Sequence, residues 1–270
     1  MIHFKNQVQI KFDGTYIHKV TRSENEGEVL RYLTNKNFPV PRFIRIERLD
    51  DCNSNLVMEY IHGPHLEVCP SFYERAFALI VKIHELSFKT NILPITTNSI
   101  YASLMKGPDL KEICEVFLWP KDRILMIAHI WQFVDIMGPA SEPVIFSHGD
   151  YHPRNIIIRD DDVIAIDWEN AGYHSIFQDL YTLIHACYPD KRASLLPKER
   201  ARLFHLFSKQ YMDSRLLDGY RTFYLLNRLL ELVYISDDLK NSRREEEMLR
   251  MQGETVFYDL FCYLKTREIF

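Results

Sequence analysis

The sequence predicts an α+β fold with a small strand-rich N-terminal lobe and a larger, mostly helical C-terminal lobe. Up to about residue 62, short apolar runs bounded by turn residues are typical of strands, and only one helix is indicated. Beyond that point, apolar residues recur every three or four positions over most of the chain, as on one face of a helix. The dipeptide Gly63-Pro64 marks the change. We therefore expect lobes of residues 1–62 and 63–270.

The N-terminal lobe is expected to contain two strand pairs and one helix. In order, these elements are strands 8–12 and 15–20, a helix from about residue 23 to 35, and strands 42–49 and 56–61. The turn Asp13-Gly14 joins the first two strands. The segment 37–41 contains two prolines, and it ends the helix because proline lacks the backbone N–H that a helix needs.

The C-terminal lobe is expected to be a set of helices interrupted by one β-hairpin. Helical periodicity extends over residues 72–86, 113–137, 177–187, 199–211, 220–235 and 244–265. Between the second and third of these segments, the apolar runs 156–158 and 163–166 flank the acidic segment Asp160-Asp161-Asp162. Two apolar runs around a short polar turn are typical of a hairpin.

Composition excludes several classes of protein. The net charge is −4 with both signs interspersed, so no basic field for nucleic acid or an anionic membrane is indicated. No apolar run resembles a signal peptide or reaches transmembrane length. The five cysteines are scattered without a C-x-x-C pair, which indicates reduced thiols and no zinc site. We expect a cytoplasmic enzyme without nucleic-acid or membrane partners, in which any metal has oxygen ligands.

The stretch with the most chemical content reads Ser-His-Gly-Asp-Tyr-His-Pro-Arg-Asn over residues 147–155. Its polar residues Asp150 and Asn155 are followed further along the chain by Asp167. The predicted hairpin would carry Asn155 at the start of one strand and Asp167 at the end of the other, and so hold both near Asp150. A carboxylate able to accept a proton, beside amide and carboxylate oxygens, is what Mg²⁺-assisted phosphoryl transfer requires. The alternative is that Asp150 and Asn155 only cap local backbone.

This stretch resembles the catalytic loop of the aminoglycoside phosphotransferase and choline kinase superfamily, H-G-D-x-H-x-x-N. Residues 166–169, Ile-Asp-Trp-Glu, resemble the downstream motif I-D-[WF]-[ED] of the same superfamily. The resemblance extends to about residue 185 and covers the C-terminal helices only loosely. It implies the two-lobed protein-kinase-like fold. It also implies a Mg²⁺-dependent transfer of the γ-phosphate of ATP or GTP to a hydroxyl of a small molecule.

The same resemblance assigns roles to individual residues of this sequence. Asp150 would accept or orient the proton of the acceptor hydroxyl. Asn155 and Asp167 would hold the metal ion, and His152 stands where a residue contacts a nucleotide phosphate. Asp179 matches the aspartate of a later D-L pair, for which a buried structural role is expected.

Lys19, near the end of the second predicted strand, stands where the family has a lysine that holds the α- and β-phosphates. In the family, this lysine pairs with a glutamate on the next helix, and Glu26 and Glu28 are the candidates. Glu26 is preferred because it shares its helical face with two leucines, which make that face apolar and inward. The alternative is a capping box, in which Glu26 and Ser23 bond backbone groups at the helix start.

Residues 56–63 resemble the hinge that joins the two lobes of a kinase. On this resemblance, Met58 lies at the back of the adenine pocket, while the Glu59 carbonyl and the Ile61 amide bond the adenine edge. The alternative is a buried strand that ends at a Gly-Pro turn, and both descriptions can hold together.

One departure from the kinase pattern motivates a second hypothesis. Kinases fold a glycine-rich loop over the phosphates, but the turn expected near Lys5-Asn6-Gln7 contains no glycine. The chain could therefore be a nucleotide-binding pseudokinase or scaffold protein without turnover. A protein or peptide kinase is disfavoured, since no activation segment ending in A-P-E follows Asp167.

The acceptor is expected to be a small hydroxylated compound, with a cationic one favoured. Candidate contacts are Trp168, Glu169, Glu231 and Arg154. Arg154 stands where the family commonly has glycine, and its guanidinium would lie near the transferring phosphate or merely on the surface. An aromatic ring and carboxylates suit an amine through cation–π contact and charge. The alternative is that these residues are ordinary packing and helix surface.

Overall fold

The computed structural model describes residues 10–21, 25–50, 53–86, 110–137, 143–185, 195–211, 214–241 and 246–266. These residues form two compact units. The first contains the described residues between 10 and 86 and between 144 and 185, and the second contains those between 110 and 143 and between 195 and 266. The predicted lobe boundary after residue 62 falls within the first unit, and the lobe assignment stays a prediction.

Strands and helices are distributed unevenly along the chain. The helices of the described residues are α1 (Asn25–Asn35), α2 (Tyr73–His84), α3 (Leu110–Phe117), α4 (Lys121–Met137), α5 (Gln178–His185), α6 (Pro197–Tyr211), α7 (Ser214–Asn241) and α8 (Glu246–Thr266). The strands are β1 (Ile10–Phe12), β2 (Tyr16–Thr21), β3 (Phe43–Arg48), β4 (Ser54–Glu59), β5 (Val144–Ser147), β6 (Ile156–Arg159), β7 (Asp162–Ala165) and β8 (Gly172–Ser175). A small sheet precedes a mostly helical remainder, which confirms the predicted α+β class.

An antiparallel four-stranded sheet in the order β1-β2-β4-β3 begins the first unit. Its first turn is stabilised by Asp13, whose carboxylate accepts hydrogen bonds from the backbone N–H groups of Thr15 and Tyr16 at 2.9 and 2.7 Å. On β2, Lys19 is paired with Ile10 on one side and with Leu56 on the other. The backbone of Lys19 is therefore held on a central strand of the sheet.

Helix α1 packs against β3 with its apolar face buried. Leu30 and Leu33 form part of this buried face. Gly27 permits the close approach of helix and sheet, because a Cβ at this position would lie 2.9 Å from Cδ1 of Ile46. The side chain of the preceding residue, Glu26, is fully buried. Burial of a carboxylate is costly unless a cation or hydrogen-bond donor compensates it, so Glu26 requires a partner.

Two further strand pairs of the first unit flank the stretch 147–155. Strand β5 pairs with β8, and strand β6 pairs with β7 around a turn at Asp160 and Asp161. The second pair confirms the predicted hairpin. Strand β8 was not predicted, because its sequence Gly-Tyr-His-Ser shows no apolar alternation.

The second unit consists of helices, and a buried arginine connects two of them. Helix α7 packs against α8, α3 and α4. On α7, the fully buried Arg228 donates a hydrogen bond to Glu231 Oε2 at 2.7 Å, and its Nη2 lies 3.0 Å from Asp259 Oδ2 on α8. Within the described part of the chain, no helix combines the length and apolar content that crossing a membrane requires.

The helical segment predicted over residues 113–137 is in fact two helices, α3 and α4. Leu118, directly after α3, has a φ of 59°, which lies in the left-handed region. Pro120 then precedes the first residue of α4. A left-handed residue ends the helical backbone, and proline suits the start of the next helix rather than an interior.

Candidate active site

The stretch 147–155 forms a loop that Asp179 on α5 anchors. The backbone N–H groups of His148 and Gly149 each donate a hydrogen bond of 2.9 Å to one of the two Asp179 carboxylate oxygens. Asp179 is fully buried, and this burial raises the pKa of its carboxyl to about 7, although the two N–H groups act in the opposite direction. The buried structural role expected for Asp179 is confirmed.

His148 connects this loop to the chain after β7. Burial lowers the pKa of its imidazole to about 4, so the ring is neutral at neutral pH. Its Nε2 lies 2.9 Å from the carbonyl oxygen of Ile166, and the backbone N–H of Asp150 donates to its Nδ1 at 3.3 Å. A carbonyl oxygen can only accept a hydrogen bond, so Nε2 carries the proton and Nδ1 is the acceptor. His148 thus fixes Asp150 relative to Ile166, the residue before Asp167.

Gly149 is required by the tight turn of the loop. Its φ is +83°, a conformation that side chains with a Cβ disfavour. A Cβ at this position would also lie 2.2 Å from the carbonyl oxygen of Asn170. The loop can therefore approach the turn at residues 168–170 only because Gly149 has no side chain.

Asp150 and Asn155 are hydrogen-bonded to each other, as the hairpin geometry predicts. Nδ2 of Asn155 donates to the backbone oxygen of Asp150 at 3.0 Å and to its Oδ2 at 3.3 Å. Nε2 of His152 lies 3.6 Å from the same Oδ2. Burial lowers the pKa of His152, while Asp150 and Asp167 act in the opposite direction. The Asp150 carboxylate is partly exposed and is oriented from one side by Asn155.

Lys19 binds three carboxylates from distant parts of the chain. Its Nζ lies 2.9 Å from Glu26 Oε2, 2.5 Å from Asp167 Oδ1 and 3.0 Å from Glu169 Oε2. The Lys19 side chain is only 5% exposed, whereas those of Asp167 and Glu169 are each 40% exposed. Glu28, the other candidate partner, instead pairs with Arg31 on the helix surface. The structure therefore brings Lys19 and Glu26 together, while their nucleotide role stays a prediction.

Charge and burial oppose each other in this cluster, which we call the Lys19 cluster (Lys19, Glu26, Asp167 and Glu169). Burial lowers the pKa of Lys19, but the charges of Glu26 and Asp167 outweigh it and raise the pKa above its ordinary value. Burial raises the pKa of Glu26 to about 7 despite the attraction of Lys19. Oε1 of Glu26 is buried and accepts no hydrogen bond. The single ammonium therefore does not satisfy all of the carboxylate oxygens.

The three carboxylates of the Lys19 cluster are candidates to hold a divalent cation. One carboxylate oxygen from each of Glu26, Asp167 and Glu169 lies within 4.8 Å of the others, and hard oxygen donors are the ligands that Mg²⁺ prefers. Asn155 was predicted as a ligand together with Asp167. It uses Nδ2 for Asp150, which leaves its amide oxygen as the atom able to bind a cation.

The predicted hinge residues lie at the end of β4 and directly after it. Met58 is buried within the sheet, where it is paired with Ile17 and Phe43. The Glu59 carboxylate accepts hydrogen bonds from the backbone N–H of Arg42 at 3.1 Å and from Arg159 at 2.9 Å. The side chain of Ile61 is buried in a cluster with Ile157, Ile164 and Ile166. These contacts attach the segment to the β6–β7 hairpin, and its role in adenine binding stays a prediction. The turn expected near residues 5–7 lies outside the described residues.

The candidate substrate residues have different environments. The ring of Trp168 is fully buried and its Nε1 donates to the Ala165 oxygen at 2.9 Å, and its predicted substrate contact stays a prediction. Glu169 is in the Lys19 cluster, a position that the sequence interpretation missed. Glu231 lies in the second unit, where its charge is balanced by Arg228, and its predicted contact stays a prediction.

Arg154 has a partner that the sequence did not indicate. Its Nε donates to Glu67 Oε2 at 2.7 Å, and its backbone N–H donates to His152 Nδ1 at 3.2 Å. Glu67 lies in a short 3-10 turn, Leu66–Val68, that follows the predicted hinge. Since 86 residues separate the two positions, no local pattern could have paired them. The Arg154 guanidinium therefore forms an ion pair with Glu67.

Three solved structures are similar to this chain in fold. A spectinomycin phosphotransferase solved with ADP and spectinomycin shares 14% identity and a TM-score of 0.66, over 94% of this chain and 88% of that one. A phosphotransferase solved with GDP and kanamycin shares 13% identity and a TM-score of 0.64, over 93% and 88%. A choline/ethanolamine kinase family protein from Mesorhizobium loti shares 14% identity and a TM-score of 0.59, over 96% and 86%. No match is found among curated proteins.

At these identities, the solved structures show the fold, and that fold is protein-kinase-like. The model of the phosphotransferase enzyme family matches residues 8–216, which is more than half of the sequence. The chain therefore belongs to the phosphotransferase enzyme family, and its class is that of the small-molecule kinases.

Proposed function

We propose that this protein transfers the γ-phosphate of ATP or GTP to a hydroxyl of a small molecule in a Mg²⁺-dependent reaction. One observation carries the proposal: Lys19 on the sheet contacts Glu26 on α1 and Asp167 after β7, at 2.9 and 2.5 Å. A buried lysine between these two carboxylates is suited to hold nucleotide phosphates beside a metal ligand. Related structures solved with ADP or GDP support a nucleotide co-substrate.

The proposal includes Mg²⁺ because the site offers carboxylate and amide oxygens, which are the ligands that this ion prefers. Asp167 and Asn155 would hold Mg²⁺, and Glu169 is a further carboxylate of the same cluster. When bound, the ion would neutralise charge on the nucleotide phosphates. The residues of the chain do the remaining work, which is to position groups and move one proton.

Asp150 is the proposed acceptor of the hydroxyl proton. Its carboxylate is partly exposed, so an acceptor can reach it, and Asn155 restrains it through the bond to Oδ2 at 3.3 Å. The backbone of Asp150 is fixed in turn by His148. Positioning of this kind accounts for much of the catalysis in phosphoryl transfer, since little covalent chemistry is required of the protein. His152 would contact a phosphate, in keeping with its place beside Asp150.

The proposed acceptor is a small hydroxylated compound, with a cationic one favoured. Two similar structures are described with spectinomycin and kanamycin, and a third belongs to the choline/ethanolamine kinase family. In this chain, the partly exposed carboxylates Glu169 and Glu67 lie beside or within the residues of the proposed site. Carboxylates at partly exposed positions suit an amine by charge. Nucleic acid and membranes are not expected partners, and a cytoplasmic location is proposed.

The test is consumption of ATP and of GTP with Mg²⁺, measured against pools of amino sugars, amino alcohols and neutral sugars. Turnover with one pool that is lost in Asp150→Asn supports the proposal. Asp160→Asn is the matched control, because Asp160 is exposed in the hairpin turn and outside the site. Nucleotide binding without turnover on any pool would instead favour the pseudokinase or scaffold hypothesis.

A further inference from the structure

Lys19 occupies the position in which the carboxylates of its cluster converge. Its Nζ is within 3.0 Å of one oxygen from each of three side chains. One carboxylate oxygen from each of the same three side chains also lies within 4.8 Å of the others. The same three carboxylates would therefore bind either the ammonium or a divalent cation. Both positive groups compete for one set of oxygens, because like charges at such short range repel.

The cluster is closed on one side and open on the other. Glu26 is fully buried and the Lys19 side chain is 5% exposed, so the ammonium is held at the inner end. Asp167 and Glu169 are each 40% exposed, so solutes can reach them. An incoming cation would meet two accessible carboxylates whose charge the ammonium already partly neutralises. An incoming phosphate would bind the Lys19 ammonium and so weaken the ion pairs of that ammonium with Asp167 and Glu169.

Resting on the function proposed above, we propose that Lys19 is a built-in competitor for the divalent metal ion. In the nucleotide-free protein, the ammonium pairs with Asp167 and Glu169 and prevents a free ion from binding there. A nucleotide phosphate takes over the ammonium and releases these two carboxylates for the ion. The metal ion therefore binds together with the nucleotide or after it, and the nucleotide-free protein does not bind metal ions at this site.

The test is a Mn²⁺ titration of the nucleotide-free protein, with free Mn²⁺ measured by electron paramagnetic resonance. Wild-type protein is expected to bind no Mn²⁺ at sub-millimolar concentration. Lys19→Met removes the competitor and is expected to bind Mn²⁺ at least about tenfold more tightly than wild type. Lys19→Arg is the matched control, because it keeps the positive charge and should continue to exclude the ion. Adding Glu169→Gln to Lys19→Met should weaken the new site.

Lys19→Met leaves the negative charges of the cluster without a cation, which could prevent folding. A second variant provides for that outcome. Lys19→Met combined with Glu26→Gln replaces the buried ion pair by neutral side chains of similar size, an exchange that proteins often tolerate. Asp167 and Glu169 remain, so this variant should also gain Mn²⁺ affinity, and Mn²⁺ should raise its thermal unfolding temperature but not that of wild type.

Two results would overturn the inference. One is wild-type protein that binds Mn²⁺ without nucleotide as tightly as the Lys19 variants. The other is a folded Lys19 variant with no gain in Mn²⁺ affinity. Neither measurement uses a nucleotide or an acceptor. Absence of turnover would therefore count against the proposed function alone. Absence of a gain in Mn²⁺ affinity in the Lys19 variants would count only against competition between Lys19 and the metal ion.

Discussion

The anchoring of the loop 147–155 by Asp179 permits a quantitative prediction for Asp179→Asn. The aspartate accepts two backbone N–H bonds, from His148 and Gly149. An asparagine offers one oxygen and one NH₂ group, so one of these N–H groups loses its acceptor and faces another donor. A buried donor left without a partner costs about 1–3 kcal/mol. We therefore expect the free energy of unfolding to fall by about that amount, together with turnover.

The same substitution should change how stability depends on pH. Burial raises the pKa of Asp179 to about 7, from an ordinary value of 3.8. For a raised pKa, the stability that the group contributes is fully present below 3.8 and is lost as pH rises through about 7. Asparagine does not titrate. The stability advantage of wild type over Asp179→Asn should therefore be larger near pH 5 than near pH 8, by a margin on the order of 1 kcal/mol or more.

The assay is urea unfolding of wild type and variant at several pH values in this range. His84 lies 4.0 Å from Asp179, and burial lowers its pKa to about 3. Its titration and that of His148 occur in both proteins, so they largely cancel in the difference. Asp160→Asn, an exposed acid at a positive φ, is the control and should show no such trend. An advantage of wild type that grows as pH rises would refute the reasoning.

Four further results are expected. Asp150→Asn should lower the turnover number by about 10²–10⁴-fold while nucleotide affinity is retained in calorimetry, and full activity would contradict the proton-acceptor role. Asp167→Ala should abolish the part of nucleotide binding that depends on Mg²⁺, so binding that still weakens on chelation would argue against Asp167 as a ligand. Gly149→Ala should lower the free energy of unfolding by about 1–3 kcal/mol more than Gly14→Ala, since both glycines have positive φ but only Gly149 faces a clash. For a cationic acceptor, high salt should raise the Michaelis constant, and an acceptor whose Michaelis constant is insensitive to salt would refute the charge argument.

Local patterns were sufficient for the parts of the site that neighbouring residues determine. The hairpin that holds Asn155 near Asp150 followed from two apolar runs and an acidic turn. The inward direction of Glu26 followed from the helical face that it shares with leucines. In both cases the deciding contacts lie within one or two adjacent elements, where periodicity fixes which side chains point to the core.

Contacts between distant segments were not predictable in this way. The pairing of Arg154 with Glu67 and the approach of Glu169 to Lys19 depend on how separate elements pack. Trp168 was named as a possible substrate contact because an aromatic ring suits an amine, with ordinary packing as the alternative, and the structure places its ring in the core. An aromatic side chain gives the same local signal in a pocket and in a core, and only packing distinguishes them.

The buried Arg228 has a consequence for engineering of the two C-terminal helices of this chain. Its guanidinium on α7 contacts Glu231 on the same helix and Asp259 on α8, and it has no contact with solvent. Removing one partner of a buried ion pair commonly costs about 3–5 kcal/mol. A chimera that replaces α8 alone would keep Arg228 and Glu231 but lose Asp259, so α7 and α8 have to be exchanged together. The family match ends at residue 216, near the start of α7, and does not extend over this pair.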